Sequence, residues 1–227
     1  ATMFRKPAFR HMLAGGALTG FGMQGYSAFM PLYFARVHDI APGIAGLTSG
    51  IASFCTVAGG LMIGGSLASW GAKRDMRWFA WIPALGCLLS TGIYIAGFSV
   101  TQTAPSIVLI VLGGVSLMTY YGPSLAVVQN LSLARSRAST IAIYQLIVNL
   151  VGLGFGPMVI GYASDRIAAM SYGGPLPAKC MAVAADVACR TALADGLRYS
   201  FILTSALFVW ASLHYFLAGR AQPRGVA

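Results

Sequence analysis

The chain has 227 residues, of which 57% are hydrophobic and 9% charged, whereas soluble domains carry about 25% charged residues. A soluble globule could not hide so much apolar surface, so the composition excludes a soluble domain and indicates a membrane protein. A net charge of +10 would favour nucleic-acid binding in a soluble protein. No basic stripe here is interleaved with aromatic residues, so we expect no nucleic-acid partner.

Six apolar segments have the length of about 20 residues that a helix needs to cross a bilayer. Each run is continuous instead of alternating, which favours an all-α bundle over a barrel. The predicted spans cover residues 11–34, 44–69, 78–98, 105–129, 138–163 and 199–218. Residues 1–10 then form a linker, 164–198 an outer loop and 219–227 a tail. The other connections are short and predict antiparallel neighbours.

Basic residues concentrate in alternate connections. With the N-terminus inside, the inner segments hold ten of the 15 Lys and Arg residues, and the outer segments hold the other five with four of the five acids. Because basic residues collect in cytoplasmic loops, we predict a multi-pass protein of the cell (inner) membrane with both termini in the cytoplasm. The start has neither Met nor a signal peptide, so we expect the chain to begin within a longer protein.

The outer loop contains Cys180 and Cys189, nine positions apart. On an oxidising face they could form a disulfide that contributes about 2 to 3 kcal/mol, and two free thiols are the alternative. Cys55 and Cys87 fall within predicted spans, where we expect them to pack as small apolar residues.

No enzyme signature is present in the sequence. It contains no G-x-S-x-G, H-E-x-x-H, Walker A or C-x-x-C motif. The three histidines, His11, His38 and His214, lie on separate segments, so no metal site or triad is indicated. We therefore expect no enzymatic activity, no metal and no cofactor.

Small residues recur four positions apart, which lets helices approach closely where lipid provides no hydrophobic drive for association. Gly152 and Gly156 look like part of a nucleotide loop, but they lie in an apolar helix without a preceding strand, so a packing role is favoured. Pro31 and Pro157 are expected to bend or break their helices, and such interruptions in transporters often lie beside a cavity or gate. The four pairs are Gly16 and Gly20, Gly46 and Gly50, Gly60 and Gly64, and Gly152 and Gly156.

Polar side chains occur at mid-membrane depth. Amides and phenols are tolerated in lipid only when they bond to a neighbour or face water, so we expect them to point inward. For each residue alone an interhelical hydrogen bond is the simpler role, but the set would line a weakly polar, aromatic cavity suited to an amphipathic organic solute. The residues are Gln24, Tyr26, Ser27, Ser53, Thr56, Thr119, Tyr120, Tyr121, Tyr144, Gln145 and Asn149.

Two stretches carry a resemblance to a known family. GSLASWGAKR at 65–74 resembles the loop motif G-x-L-x-D-R-x-G-R-R of the major facilitator superfamily, and DMRW at 75–78 resembles the run that follows it near the Spinster-like branch. RA at 137–138, NLVG at 149–152, GP at 156–157 and SD at 164–165 are similar to the eleventh helix of that branch. Together with LRY at 197–199, before the last predicted span, these stretches extend the resemblance over nearly the whole chain.

The resemblance implies a transporter with two six-helix bundles around a central cavity, working by alternating access, in which this chain is the C-terminal bundle. Its partners would be the N-terminal bundle, the lipid bilayer and a small organic solute. The cavity candidates are Gln24, Tyr26, Tyr120, Tyr121, Gln145 and Asn149. No acid or base falls in the middle of any predicted span, so a coupling residue would lie outside this chain or transport is uncoupled.

The same resemblance assigns a cytoplasmic gate to the turn between spans two and three. Ser69 and Trp70 stand where the motif has Asp and Arg, so the charge network that normally supports this gate is incomplete. The gate residues are Gly65, Leu67, Lys73, Arg74 and Arg77.

Two alternatives to a transporter half remain. Two copies of the chain could assemble into one transporter, which cross-linking would reveal. The chain could instead be a membrane enzyme or a structural assembly factor.

Overall fold

A computed structural model describes residues 3–181 and 186–222. These residues form α-helices joined by short turns and 3-10 segments, with no β-strand among them, and the predicted all-α fold is confirmed. The helices are α1 (Pro7–Val37), α2 (Pro42–Ala72), α3 (Trp78–Ser99), α4 (Thr103–Met118), α5 (Tyr121–Leu131), α6 (Arg137–Tyr172), α7 (Val187–Ser205) and α8 (Leu207–Arg220).

Five stretches are long and apolar enough to cross a membrane, and α1 is not among them. With 31 residues α1 has sufficient length, but it is less apolar than the others. It contacts α2, α5, α6, α7 and α8, so much of its surface meets protein instead of lipid. The five stretches are Pro42–Ala72, Trp78–Ser99, Thr103–Leu131, Ala134–Tyr172 and Val187–Arg220.

Two of the six predicted crossings are interrupted, and neither interruption was expected. α4 ends at Met118 and α5 begins at Tyr121, because Pro123 has no N–H to donate to the Thr119 carbonyl. α7 and α8 are separated at Ala206. Pro31 and Pro157 were expected to bend or break their helices; both lie within continuous helices, so neither breaks its helix. Neighbouring elements can satisfy the one backbone group that each proline frees.

The connection between α6 and α7 is shorter than the predicted outer loop at 164–198. α6 continues to Tyr172 and ends at Gly173, whose φ of 85° is left-handed. α7 begins after Asp186, whose carboxylate accepts a 2.8 Å hydrogen bond from the Cys189 N–H. The boundaries differ because hydropathy marks where a helix leaves the membrane, and both helices extend past that point.

Glycine allows α1 and α6 to cross closely. A Cβ atom at Gly156 would lie 2.5 Å from the Phe21 carbonyl oxygen, and one at Gly152 would lie 2.9 Å from that of Gly20. A Cβ at Gly46 or Gly50 of α2, in contrast, would meet no atom within 4 Å in the described chain. Three of the four predicted glycine pairs therefore lie against a neighbouring helix, and the pair on α2 at 46 and 50 faces away from the described bundle.

The bundle has one basic end. Lys6 Nζ donates a 2.7 Å hydrogen bond to the Leu131 carbonyl, and Arg77 Nη2 lies 3.4 Å from the Gln222 carbonyl oxygen. The start of α1, the α2–α3 turn, the end of α5 and the end of α8 thus lie at the same end. We call residues 3–10, 73–77, 131–137 and 219–222 the basic end; the tail after residue 222 is outside the described residues.

The opposite end carries a disulfide between Cys180 and Cys189, whose Cα atoms are 5.0 Å apart. It connects the segment after α6 to the first turn of α7. Cys87 is a buried free thiol, but Cys55 is exposed on α2 instead of packed, because that face of α2 has no neighbour among residues 3–181 and 186–222.

Candidate functional site

A cavity of about 230 Å³ opens between α1, α2 and α4. Amide and hydroxyl groups occupy part of an otherwise apolar wall. No Asp, Glu, Lys, Arg or His is among the described residues that line it, so the cavity offers hydrogen bonds but no formal charge. The lining residues are Met23, Gln24, Tyr26, Ser27, Met30, Ala52, Ser53, Thr56, Val57, Tyr94, Ile110 and Met118.

Gln24 lies where this cavity meets α6. Its side chain is half-buried, and its Cγ lies 3.1 Å from the position that a Cβ atom at Gly152 would occupy. Ser27, one turn along α1, is exposed, and Ser53 and Thr56 line the same cavity from α2. The polar groups of two helices therefore converge on one cavity, as sequence reasoning expected of inward-facing polar residues.

Tyr26 contributes only its ring to the cavity. Its hydroxyl is 2.8 Å from both the Phe201 carbonyl oxygen and Ser205 Oγ, which ties α1 to α7. The side chain is 3% exposed, and its ring centroid lies 5.1 Å from that of Tyr94. The hydroxyl thus serves an interhelical hydrogen bond, while the ring can pack against a solute.

The other four cavity candidates lie elsewhere. Tyr120 is 3% exposed and packs in the core, with its ring centroid 6.3 Å from that of Tyr215. Gln145 Nε2 donates a 2.7 Å hydrogen bond to the Tyr121 hydroxyl, which joins α6 to α5. Asn149 is exposed one turn further along α6. The structure therefore divides the six candidates into three groups. Two line the cavity (Gln24 and Tyr26), three lie on α5 and α6 (Tyr121, Gln145 and Asn149), and Tyr120 packs in the core.

Several cavity residues were missed from the sequence. Met23 and Met30 are seven positions apart on the face of α1 that carries Ser27, so helical periodicity could have found them. Tyr94 and Ile110 had no such signal, because α3 and α4 are apolar on every face and periodicity does not distinguish one face from another.

The gate candidates lie near the basic end. The guanidinium of Arg74 lies 4.7 Å from the centroid of the Trp70 ring, a cation–π contact. Trp70, which stands where the motif has arginine, therefore binds a neighbouring cation through its ring. Lys73 and Leu67 are exposed, and a Cβ atom at Gly65 would meet nothing within 4 Å. Gly65 and Leu67 therefore face away from the rest of the described chain, whereas Ala68 and Gly71 of the same motif are buried.

Comparisons with known proteins agree with this architecture. The chain is 30% identical over 165 residues to an MFS-type efflux pump of Mycolicibacterium smegmatis, covering 73% of this chain and 38% of the pump. No family model matches the chain.

The structure also resembles two crystal structures of a bacterial homologue of the human lysosomal transporter Spinster. The inward-facing, occupied form has a TM-score of 0.80 and 27% identity, covering 98% of this chain and 51% of that one. The inward-facing, unoccupied form has a TM-score of 0.79 and 28% identity, covering 95% and 48%. The chain belongs to the major facilitator superfamily.

The predicted family and the fold of one half of a major facilitator transporter are confirmed, and the protein is an integral membrane protein. This major facilitator chain spans about half the length of its solved relatives and 38% of the curated one. It thus has the size of one bundle of a two-bundle transporter.

Proposed function

We propose that this chain is the C-terminal bundle of a secondary transporter that moves a small, weakly polar or amphipathic organic solute by alternating access. The relatives, an efflux pump and a Spinster homologue, support transport. The order of the two family-like stretches along the chain supports the C-terminal position.

The observation that carries the solute class is the uncharged cavity between α1, α2 and α4. Gln24, Ser27 and Ser53 provide donors and acceptors, while Met23 and Met30 provide adaptable apolar contact. A fully charged solute would find no counter-charge on this side of the cavity. A solute with a polar group and an apolar body matches the wall.

The partner in this proposal is an N-terminal six-helix bundle. α2 and α6 carry exposed apolar side chains along much of their length, among them Leu47 and Phe54 on α2 and Leu146 and Leu153 on α6. Lipid alone could cover these side chains. The uncovered glycines of α2 favour a closely packed helix, because small residues in membranes permit close backbone approach.

The proposed orientation places both termini in the cytoplasm of a cell with this protein in its inner membrane. Tags near position 73 should be protected from an impermeant label in intact cells, and tags near position 179 should react. Equal reactivity at both positions would overturn the orientation.

Transport is tested by flux of amphipathic dyes through proteoliposomes that contain the full natural protein. Gln24→Leu should reduce flux about tenfold, because the Gln24 amide is proposed to bind the solute while the transporter changes between its inward- and outward-facing states. Gln102→Leu is the matched control, because Gln102 is an exposed amide before α4 and outside the cavity. Equal loss in both variants, or no loss in either, would contradict the cavity assignment.

Alternating access is tested without knowing the solute. In a Cys55→Ser background, Ser27→Cys should be modified by impermeant thiol reagents from either side, and locking one state should abolish one side's reaction. Cross-linking at Ile51→Cys in the full natural protein distinguishes the partners: products between two copies of this chain would favour the self-assembled transporter instead.

A further inference from the structure

A second concave surface lies between α3 and α8, away from the solute cavity. Its volume is about 460 Å³, and its wall is almost entirely aromatic and aliphatic. We call it the α3–α8 groove; Trp78, Trp81, Leu85, Leu88, Leu213 and Phe216 form most of its wall.

The groove is about as long, measured along α3, as one leaflet of the hydrocarbon core is thick. It begins at Trp78, beside the basic end, and extends to Leu88. Ten residues of helix at about 1.5 Å each span about 15 Å, which is half of the roughly 30 Å hydrocarbon core. A linear acyl chain that enters from the membrane surface would follow the groove over this distance.

Unpartnered hydrogen-bond donors lie where the groove meets the basic end. Arg77 Nε, Trp81 Nε1 and Gln222 Nε2 are buried and have no acceptor among the described residues. Gln222 is 9% exposed. Buried donors without acceptors cost free energy, so three together indicate a missing acceptor.

The three donors converge geometrically. Trp81 follows Arg77 by one helical turn, and Arg77 Nη2 is 3.4 Å from the Gln222 carbonyl oxygen. The Trp81 indole lies against Gly219, three residues before Gln222, so closely that a Cβ atom at this glycine would collide with Nε1. Asp75, close in sequence, already accepts a 2.9 Å hydrogen bond from the Arg77 backbone N–H.

A further cation borders the same site. The Arg220 guanidinium lies 5.2 Å over the Phe216 ring, which itself stacks on Trp81 at 6.4 Å between centroids. Arg77 and Arg220 thus place positive charge at the membrane surface above an apolar groove. This pattern complements a lipid with a negative head and an apolar tail.

We propose that the α3–α8 groove binds an anionic phospholipid. One acyl chain lies in the groove, and the phosphate oxygens accept hydrogen bonds from Arg77, Trp81 and Gln222. Entry of the phosphate requires the exposed Arg220 side chain to move off Phe216. A phosphate supplies several acceptor oxygens, so one headgroup can satisfy all three donors.

The test uses the full natural protein in mixed micelles and measures retention of phosphatidylglycerol against phosphatidylcholine by native mass spectrometry. Quenching of tryptophan fluorescence by brominated acyl chains reports occupancy of the groove. We expect the wild type to retain phosphatidylglycerol preferentially, and Arg77→Gln or Gln222→Leu each to reduce that preference about tenfold. Gln222→Leu keeps the charge and so also isolates the hydrogen bond.

Arg74→Gln is the matched control, because it removes the same charge from the same turn but its guanidinium stacks on Trp70 outside the groove. An unchanged preference in this variant supports a specific lipid site at the α3–α8 groove. An equal loss in Arg74→Gln and Arg77→Gln would overturn the proposal in favour of general surface attraction. Displacement of the lipid by millimolar inorganic phosphate would also overturn it, because the site would then take a free anion.

Discussion

The amide of Gln145 donates to the hydroxyl of Tyr121 across 2.7 Å, linking α6 to the helix that begins after the interruption at residues 119–120. Both residues were expected to contact solute, and the structure pairs them with each other. Both side chains are half-buried, so the hydrogen bond is only partly shielded from the surroundings.

We predict measurable coupling between these two residues. Tyr121→Phe and Gln145→Leu should each destabilise the protein, and the double variant should lose less than the sum, with a coupling energy of about 0.6 to 1.7 kcal/mol. Unfolding in mixed micelles measures the cycle. Strictly additive single effects would show that the bond contributes nothing.

Two glycines on α6 should respond oppositely to alanine. Gly156→Ala should destabilise by about 1 to 3 kcal/mol, because the new Cβ would lie 2.5 Å from the Phe21 carbonyl oxygen. Gly154→Ala is the control, since its Cβ would meet no atom of the described residues within 4 Å and alanine favours the helix by up to about 1 kcal/mol. Thermal unfolding distinguishes them; similar losses at both positions would contradict the close α1–α6 crossing.

The disulfide between Cys180 and Cys189 should stabilise the opposite end of the bundle. Replacing both cysteines by serine should cost about 2 to 3 kcal/mol, the value for closing a short loop. A reductant should lower the melting temperature of the wild type but not of this double variant. Cys55→Ser, which removes an exposed thiol outside the bridge, should change neither result.

His38 should make the protein less stable in mild acid. Ser106 donates its own proton to the Gly97 carbonyl at 2.8 Å, so its oxygen, 3.0 Å from His38 Nε2, accepts the imidazole N–H. Burial, and then the charge of Arg198, lower the pKa of His38 below its ordinary 6.5.

The unfolded chain consequently takes up a proton at His38 at higher pH than the folded chain does. The contribution of neutral His38 to the free energy of unfolding is therefore fully present above pH 6.5 and declines as the pH falls below that value. Melting temperatures at about pH 7.5 and 5.5 should therefore differ more in the wild type than in His38→Gln. Identical pH dependence in the two proteins would rule out this role.

The sequence predicted the helical class, because a bilayer demands long apolar runs. Five of the six predicted spans overlap stretches that are long and apolar enough to cross a membrane, and the first, in α1, does not. The sequence did not predict where α6 ends, since residues 164–172 form helix beyond the apolar run and Gly173 stops it by conformation. It also expected Pro31 and Pro157 to bend or break their helices, whereas the helix ends before Pro123 instead. A proline's effect depends on which neighbouring groups take over the lost hydrogen bond.

The candidate site was only partly predictable for a related reason. Polar side chains in membranes turn inward, and among the residues that this rule selected, Gln24 and Ser27 line the cavity. The rule cannot say whether a phenol faces a solute or another helix. Tyr26 and Tyr120 look alike in sequence and are equally buried, at 3% exposed, but of the two only Tyr26 is among the described residues that line the cavity.

The bare strip around Gly46 and Gly50 affects how this protein should be handled. Under the proposed two-bundle assembly, this chain produced alone would expose the apolar side chains and uncovered glycines of α2 to any membrane helix it meets, including α2 of a second copy. Dimers of the isolated chain would then arise from this uncovered surface of α2 and would not reflect the physiological assembly. Quaternary structure is better judged on material purified with all of its native sequence.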